Sequence, residues 1–267
     1  MVPPWVPDAP RPADGDSEED ESQQQSPAGQ SMPAAPQQPI PIAPAGRFAP
    51  ARTNLGQYAH SGSFDEMRRG IGHYVGKGLG GSGIAVRRFG GTASTAGSLY
   101  GTLSSAAAGQ AAAPGSPFDP ALLRARTARE IINAVVEAVR PIDGTQDAEA
   151  SRTAICDALA ELLNQFPDAD LLNLSEEQRI FAIEQYLAID VFIRFHLDVG
   201  QMIQARAATA SAALVRLKDV KDYIKQIIAA SFRKVRTAGS ALSGRRITEL
   251  ARQALSDAFR VFEDYVR

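Results

Sequence analysis

The chain has 267 residues, a formal net charge of −2 at pH 7 and a single cysteine, Cys156. This length allows one or two domains, and the near-neutral charge excludes a protein that coats nucleic acid through bulk charge. One cysteine excludes an intrachain disulfide and a zinc site built from three or four cysteines. No apolar stretch reaches 18 residues, which argues against a membrane-spanning helix. The start Met1–Trp5 lacks a signal-peptide pattern, so we expect a cytoplasmic protein.

Residues 1–50 form the first of three predicted parts, a tail rich in proline, glutamine and acids. They hold 12 of the 17 prolines of the chain and only two bulky aromatic residues, Trp5 and Phe48. Such a segment cannot bury enough apolar surface to offset the entropy of ordering, which predicts disorder. The Pro4–Trp5 pair stands apart, because a tryptophan in a tail is either incidental or an anchor for a partner's pocket.

Residues 51–117 form the second part, a basic segment rich in glycine and alanine that ends in a linker. We interpret residues 51–62 as a polar junction, and Ser63 as the cap of a short helix that the glycines of 76–83 interrupt. A small-residue helix is predicted over about 82–108. It is marginal alone, because each glycine in a helix costs about 1 kcal/mol relative to alanine.

Residues 118–267 form the third part, which we predict to be an all-α bundle. Apolar residues recur there at helical spacing, and no alternating strand pattern is present. The third helix is apolar nearly all round, which predicts a central position. The five predicted helices of this bundle cover about 119–140, 147–166, 175–199, 202–237 and 245–265.

No catalytic constellation emerges from the sequence. The glycines of 78–83 match the dinucleotide pattern G-x-G-x-x-G, but no strand precedes them and no acid follows at the spacing that a ribose hydroxyl requires. His60, His73 and His196 lack metal-binding spacing. We therefore expect a protein that is not an enzyme and that carries no cofactor and no metal.

The strongest polar cluster is basic and comprises Arg68, Arg69, Lys77, Arg87 and Arg88. It is either a solvated face or a site for an anion: a phosphate backbone, a nucleotide or an acidic protein surface. Residues 1–46 carry seven acids and one base, so the tail could fold back onto this cluster or compete with an anionic partner for it. The spacings Gly72-x-x-x-Gly76 and Gly97-x-x-x-Gly101 permit close helix contact, and hence self-association or docking.

Four segments within the first 95 residues resemble the QatB family, the B component of the Qat anti-phage defence system. The helical bundle is similar in type but carries no specific motif. The segments that carry the resemblance are Val2-Pro-Pro-Trp-Val-Pro-Asp8, Gly46-Arg-Phe48 with Arg52-Thr-Asn54, Ser61-Gly62 with Arg68-Arg69-x-Ile-Gly-His-Tyr74, and Gly80-Gly-Ser82 with Arg87-Arg-Phe-Gly-Gly91.

The resemblance implies a bacterial cytoplasmic protein without known catalytic activity. It implies that the protein acts together with an ATPase, a TatD-like nuclease and a QueC-like nucleobase-processing enzyme. The QueC-like enzyme is the expected close partner. It further implies that the N-terminus is offered to that enzyme for attachment of a 7-deazaguanine-type base. Family members typically begin with Met-Gly, whereas this chain begins Met1-Val2, so no modified residue is assigned here.

The leading hypothesis is therefore a non-enzymatic defence component, a helical scaffold whose N-terminal region binds the QueC-like enzyme. Two alternatives stay open: a membrane-active effector whose Gly/Ala stretch 78–113 inserts after activation, and an accessory protein that binds nucleic acid through the basic segment. The predicted partner-binding residues are Pro4, Trp5, Phe48, Arg52, Asn54, Arg68, Arg69, Tyr74, Arg87 and Arg88.

Overall fold

The computed structural model describes residues 45–110, 118–236 and 242–267, and every regular element in these ranges is a helix. Two single π-helical turns, Tyr74–Gly78 and His196–Gly200, follow α2 and α8. The predicted all-α class is confirmed. The α-helices are α1 (Ala49–Ser61), α2 (Phe64–His73), α3 (Ser82–Arg88), α4 (Gly90–Ala107), α5 (Pro120–Leu123), α6 (Ala128–Val139), α7 (Gln146–Gln165), α8 (Glu176–Phe195), α9 (Gln201–Arg206), α10 (Ala210–Val235) and α11 (Gly244–Asp264).

Several helices begin where the sequence predicts, because a side chain caps the free N–H groups of the first turn. The Ser175 hydroxyl accepts from the backbone N–H of Gln178, and the Gln178 side chain accepts from the backbone N–H of Ser175. This reciprocal capping box fixes the start of α8. Helix α2 follows Ser63 as expected, although the Ser63 side chain makes no capping bond.

Four predicted elements differ from the structure. The small-residue helix predicted over about 82–108 is divided at Phe89 into α3 and α4. The polar junction 51–62 is helical up to Ser61, the last residue of α1, and the inner face of this helix buries Leu55 and Tyr58. The first helix of the bundle is split into α5 and α6, because Thr127 forms a capping box that starts a new helix. The helix expected from Met202 is likewise interrupted before Thr209, whose side chain caps α10.

One hydrophobic core draws on both the glycine-rich segment and the predicted bundle. Helix α4 packs against α8 and α11, and its Leu99 and Leu103 are fully buried. Residues 43–267 accordingly form one compact unit. The division of the chain at residue 117 does not separate two cores, and it stays a prediction about function only.

The end of the predicted tail also differs from expectation. Residues 45–50 are described, and Phe48 is only 9% exposed at the start of α1. Its ring packs against Tyr74, which accounts for its burial. The rest of the predicted tail, residues 1–44, lies outside the described residues, as does most of the linker, 111–117.

The glycine spacings are used for contacts within the chain. A Cβ atom at Gly97 would lie 2.5 Å from the carbonyl oxygen of Gly244 in α11, and one at Gly72 would lie 2.8 Å from that of Phe262. Both contacts bring helices of the N-terminal segment against α11. These two glycines therefore allow helices of the same chain to pack closely. Their contacts give no support to the hypothesis of self-association.

Candidate functional site

A polar cleft of about 250 Å³ opens beside the two π-helical turns. Tyr74 in the first turn and Asp198 in the second are joined by a hydrogen bond across the cleft wall. Single π-helical turns are rare and occur frequently at functional sites. We call this feature the Arg47/Arg88 cleft. Its walls include Arg47, Tyr74, Arg88, Phe89, Arg194 and Asp198.

Buried aromatic side chains pack around Tyr74, which lines the cleft. The rings of Phe48 and Tyr74 stack with centroids 5.6 Å apart, and Phe195 meets the Tyr74 ring edge-on at 5.1 Å. A Cβ atom at position 78 would lie 2.4 Å from the Phe48 ring, so this close approach requires Gly78. The first π-helical turn thus places Gly78 against the Phe48 ring. This close contact holds the ring beside Arg47.

Asp198 supplies negative charge to the cleft. Its Oδ2 atom accepts a 3.0 Å hydrogen bond from the Tyr74 hydroxyl, and its backbone carbonyl accepts a 3.0 Å bond from Arg52. Burial raises the pKa of the Asp198 carboxyl, while the Tyr74 hydrogen bond and the charges of Arg47 and Arg88 act in the opposite direction. Burial also raises the pKa of Tyr74 well above 10, so its hydroxyl stays protonated and remains a donor.

Arg194 lies in the opposite wall and is held by two carboxylates. Its Nη1 atom lies 2.9 Å from Asp147 Oδ2, and its Nε donates to Asp190 Oδ2 at 3.0 Å. The fully buried Asp190 also accepts from the hydroxyls of Thr92, at 2.5 Å, and Ser151, at 2.7 Å. This network ties α4 and α7 to α8, so Arg194 is a fixed, charge-compensated part of the cleft.

Arg47 and Arg88 are the two arginines of the cleft that form no ion pair with a described residue, although their charges act on Asp198. Across the described ranges, neither guanidinium lies within 4.0 Å of a carboxylate. The Arg47 guanidinium instead sits over the Phe48 ring, 4.7 Å from its centroid, and Arg88 is exposed at the end of α3. A guanidinium binds carboxylate or phosphate through charge-assisted, bidentate hydrogen bonds. The arrangement is therefore suited to binding an anionic group.

The structure brings four of the predicted partner-binding residues together. Tyr74 and Arg88 line the cleft, and Phe48 stacks on Tyr74 behind it. Arg52 lies over the Phe48 ring at 5.9 Å and donates to the carbonyl of Asp198. In the sequence, these four residues are predicted as one binding site on the basis of the family resemblance. Their convergence around one cleft is a structural observation that does not depend on it.

The other predicted residues lie elsewhere or outside the described part of the chain. Arg68 pairs with Asp65 and sits over the rings of Tyr223 and Tyr265, and Arg69 pairs with Glu66. Arg87 is exposed but is not among the residues that line the cleft. The Asn54 amide donates to the carbonyl of Pro50 within α1. Pro4 and Trp5 lie outside the described residues.

Sequence reasoning missed Arg47, Arg194 and Asp198 as site residues. Arg47 was counted among the bases of the segment, but its glycine-flanked position gave no reason to single it out. Asp198 lies in a stretch predicted as continuous helix, so the π-helical turn that presents it had no visible signal. Arg194 follows Asp190 by four residues, a spacing that predicts an ion pair but not its place in a cleft.

In residues 45–110, 118–236 and 242–267, no group of three His, Cys, Asp or Glu side chains is placed to hold a metal ion. Within the same ranges, none of the helices combines the length and the apolar character needed to cross a membrane.

Comparison with known proteins gives one match. No curated protein and no solved structure matches the chain. The model of the family "Qat anti-phage system associated protein QatB" matches residues 80–262, which is more than half of the chain. The match spans Arg88, Arg194 and Asp198, and it covers the helical body, whereas most segments that carried the resemblance precede residue 80. The chain therefore belongs to the QatB family of Qat anti-phage system associated proteins.

Proposed function

We propose that this chain is a non-enzymatic scaffold of the Qat system whose N-terminal region binds the system's QueC-like nucleobase-processing enzyme. Membership of the family makes it a component of the anti-phage system. The observation that supports the finer proposal is that Tyr74 and Arg88 line one cleft, with Phe48 stacked on Tyr74 and Arg52 bonded to the carbonyl of Asp198 beside it.

The cleft has the chemical composition of an anchoring site for a protein partner. Aromatic and arginine side chains dominate the energetics of protein interfaces because they combine apolar area with directional hydrogen bonds. Phe48 and Tyr74 are buried and stacked, so they hold the adjacent Arg47 in place and reduce the ordering entropy that a partner's binding costs. The partner surface that fits Arg47 and Arg88 is acidic.

The proposal includes the leading end of the chain. The described residues begin at Ala45, and Gly46 leads directly into Arg47, so a partner bound at the cleft is close to where residues 1–44 join the body. We propose that Pro4 and Trp5 make a second contact with the same partner, because a tryptophan can fill a pocket and fix the register of the segment.

The membrane-active alternative has less support. It needs apolar residues of the 78–113 stretch to be available for a bilayer, whereas Leu99, Tyr100 and Leu103 are already buried against the rest of the protein. The nucleic-acid alternative also has less support, because the carboxylates of Asp147 and Asp198 in the cleft repel a row of phosphates. We propose the protein-binding function in preference to both.

Neighbouring arginines provide a matched test. We expect Arg88→Glu to weaken binding to the QueC-like enzyme at least about tenfold, or 1.4 kcal/mol, because it places a negative charge in the cleft. Arg87→Glu, which changes the total charge equally outside the cleft, should weaken binding much less. Calorimetry with the purified enzyme measures both, and thermal melting of each variant checks the fold.

Two results would contradict the proposal. Equal losses in the Arg87 and Arg88 variants would mean that only total charge matters, and unchanged affinity in the Arg88 variant would remove the cleft from the interface. A chain that lacks residues 1–12, measured in the same titration, tests the proposed contact by Pro4 and Trp5, and its full affinity would remove that contact.

A further inference from the structure

We propose that a cavity between α8 and α10 binds a free amino acid, whose ammonium group contacts Glu184 and Gln185 and whose carboxylate contacts Arg233. The cavity has a volume of about 180 Å³, and the described residues that line it differ from those of the Arg47/Arg88 cleft. The inference goes beyond the proposed function, since it requires no protein partner. We call this feature the Glu184 cavity. Its walls include Glu184, Gln185, Ala188, Lys225, Ala229 and Arg233.

Two helices that pack against each other create the cavity. On α8, Glu184 and Ala188 are four residues apart, and on α10 the residues Lys225, Ala229 and Arg233 recur at the same interval. Residues at this interval lie along one face of a helix. The two alanines have the shortest side chains of these two sets, so they leave space between the longer polar ones.

Glu184 is a buried carboxyl group without a partner. Its residue is only 9% exposed, and no residue in the ranges 45–110, 118–236 and 242–267 forms a hydrogen bond or an ion pair with its carboxyl. Burial raises the pKa of this carboxyl, while the charges of Arg233 and Arg236 act in the opposite direction and favour its ionised form. A carboxylate withdrawn from water without a hydrogen-bond donor destabilises a fold. Its position in the wall of a cavity therefore points to a donor that a ligand supplies.

Gln185 adds a second acceptor to the same wall. Its Oε1 atom is buried and has no hydrogen-bond partner in the described part of the chain. An ammonium group has three N–H donors and no acceptor, so it can donate to the Glu184 carboxylate and to this amide oxygen together. A metal ion fits less well, because the cavity offers a single carboxylate and the described ranges contain no group of three metal-ligating side chains.

Arg233 supplies a positive charge to the same cavity. Its Nε donates to the carbonyl oxygen of Ala229 at 3.2 Å, and its guanidinium lies beyond 4.0 Å of every carboxylate in the described ranges. Lys225, by contrast, is engaged in an ion pair, with its Nζ 2.5 Å from Glu161 Oε2. A guanidinium binds a carboxylate through paired, charge-assisted hydrogen bonds. The cavity therefore offers one negative and one positive group to a ligand.

This pair of opposite charges selects the class of ligand. A simple anion is attracted by Arg233 and repelled by Glu184, a simple cation experiences the reverse, and a zwitterion is attracted by both. The volume of about 180 Å³ lies below the roughly 300 Å³ at which pockets for drug-sized ligands begin, so a small zwitterion fits best. Ala188 and Ala229 offer methyl groups to an aliphatic side chain, which makes L-valine a suitable probe.

L-valine and two of its analogues test the charge pairing by isothermal titration calorimetry with the full chain. Isobutylamine keeps the ammonium group and the aliphatic body but lacks the carboxylate, and isovalerate keeps the carboxylate but lacks the ammonium group. We expect L-valine to bind at least about tenfold more tightly than either analogue. Glu184→Gln should weaken L-valine binding at least about tenfold. Arg233→Gln should do the same without weakening the binding of isobutylamine.

The matched controls change exposed residues of the same two helices that do not line the cavity. Glu177→Gln in α8 and Lys234→Gln in α10 should bind L-valine like the unmodified chain. Circular dichroism checks the fold of each variant, and Glu184→Gln should fold normally because it removes a buried charge without a partner. No binding of L-valine, an analogue that binds as tightly as L-valine, or an equal loss in the controls would each overturn the proposal. The titration contains no QueC-like enzyme, so its failure is distinct from failure of the proposed function.

Discussion

At the scale of single residues, the cleft is governed by the balance between burial and charge at Asp198. Its carboxylate accepts from Tyr74 and lies near Arg47 and Arg88, yet burial has the larger effect and raises its pKa above the ordinary value of 3.8. The folded protein therefore binds this proton at a pH where the unfolded chain has released it. A negative charge is kept in the cleft at neutral pH at some cost in stability.

This balance predicts whether the free energy of unfolding rises or falls with pH. Because the pKa is raised on folding, the contribution of Asp198 to the free energy of unfolding is greatest below about pH 3.8, falls as the pH rises through the folded-state pKa, and is constant above it. Asp198→Asn cannot ionise, so its stability should decline less over this window than that of the unmodified chain. Urea unfolding between pH 3.5 and 7 measures the difference.

Tyr74→Phe provides the complementary variant. It removes the hydrogen bond that lowers the pKa of Asp198, so the decline in stability should extend to higher pH. Superimposable pH profiles for the unmodified chain and Asp198→Asn would show that this carboxyl does not titrate differently on folding. The whole account of the charge balance in the cleft would then be wrong.

At the scale of helices, the N-terminal segment depends on glycines that allow backbones to approach. At Gly97 in α4, a Cβ atom would meet the Gly244 carbonyl oxygen at 2.5 Å, whereas at Gly101, one turn further on, it would meet no atom within 4 Å. Both residues lie inside the same helix. Alanine substitutions at these two positions therefore separate the effect of helix propensity on stability from the effect of packing.

We expect the two alanine substitutions to have opposite signs. Gly101→Ala should stabilise the protein by about 0.5–1 kcal/mol, because alanine is the better helix former. Gly97→Ala should destabilise it by about 1–3 kcal/mol, because α4 and α11 must move apart. Chemical denaturation measures both free energies. If Gly97→Ala were as stabilising as Gly101→Ala, the close contact between α4 and α11 would be refuted.

How far the sequence predicts these elements depends on where their signals lie. The capping box at Ser175 and the apolar periodicity of α8 are local, so that helix was predicted at the correct start. The end of α8 was not, because the π-helical turn at His196–Gly200 is set by contacts with Tyr74 and Arg52, more than a hundred residues away. The same holds for the cleft: its arginines are visible in the sequence, but their convergence is a product of tertiary packing.

At the scale of the whole molecule, the glycine-rich segment and the bundle share one core. Phe89 at the start of α4 packs against Phe259 of α11 with ring centroids 5.0 Å apart, and both rings are buried. Arg194 of α8 lies over the Phe89 ring at 5.3 Å, so this contact also reaches the cleft. The cleft therefore exists only while residues 45–110 and the bundle are folded together.

This dependence predicts that the bundle does not fold alone. A fragment of residues 118–267 would expose the faces of α8 and α11 that pack against α4, and the Phe259 ring that Phe89 covers, and exposed apolar area costs about 25 cal/mol per Å². We expect it to show reduced helicity by circular dichroism and no cooperative melting. A chain of residues 45–267 retains the whole compact unit, and it should melt like the full chain. Cooperative melting of the 118–267 fragment at the temperature of the 45–267 chain would show that the bundle is independent, and that the N-terminal helices are an attachment to it.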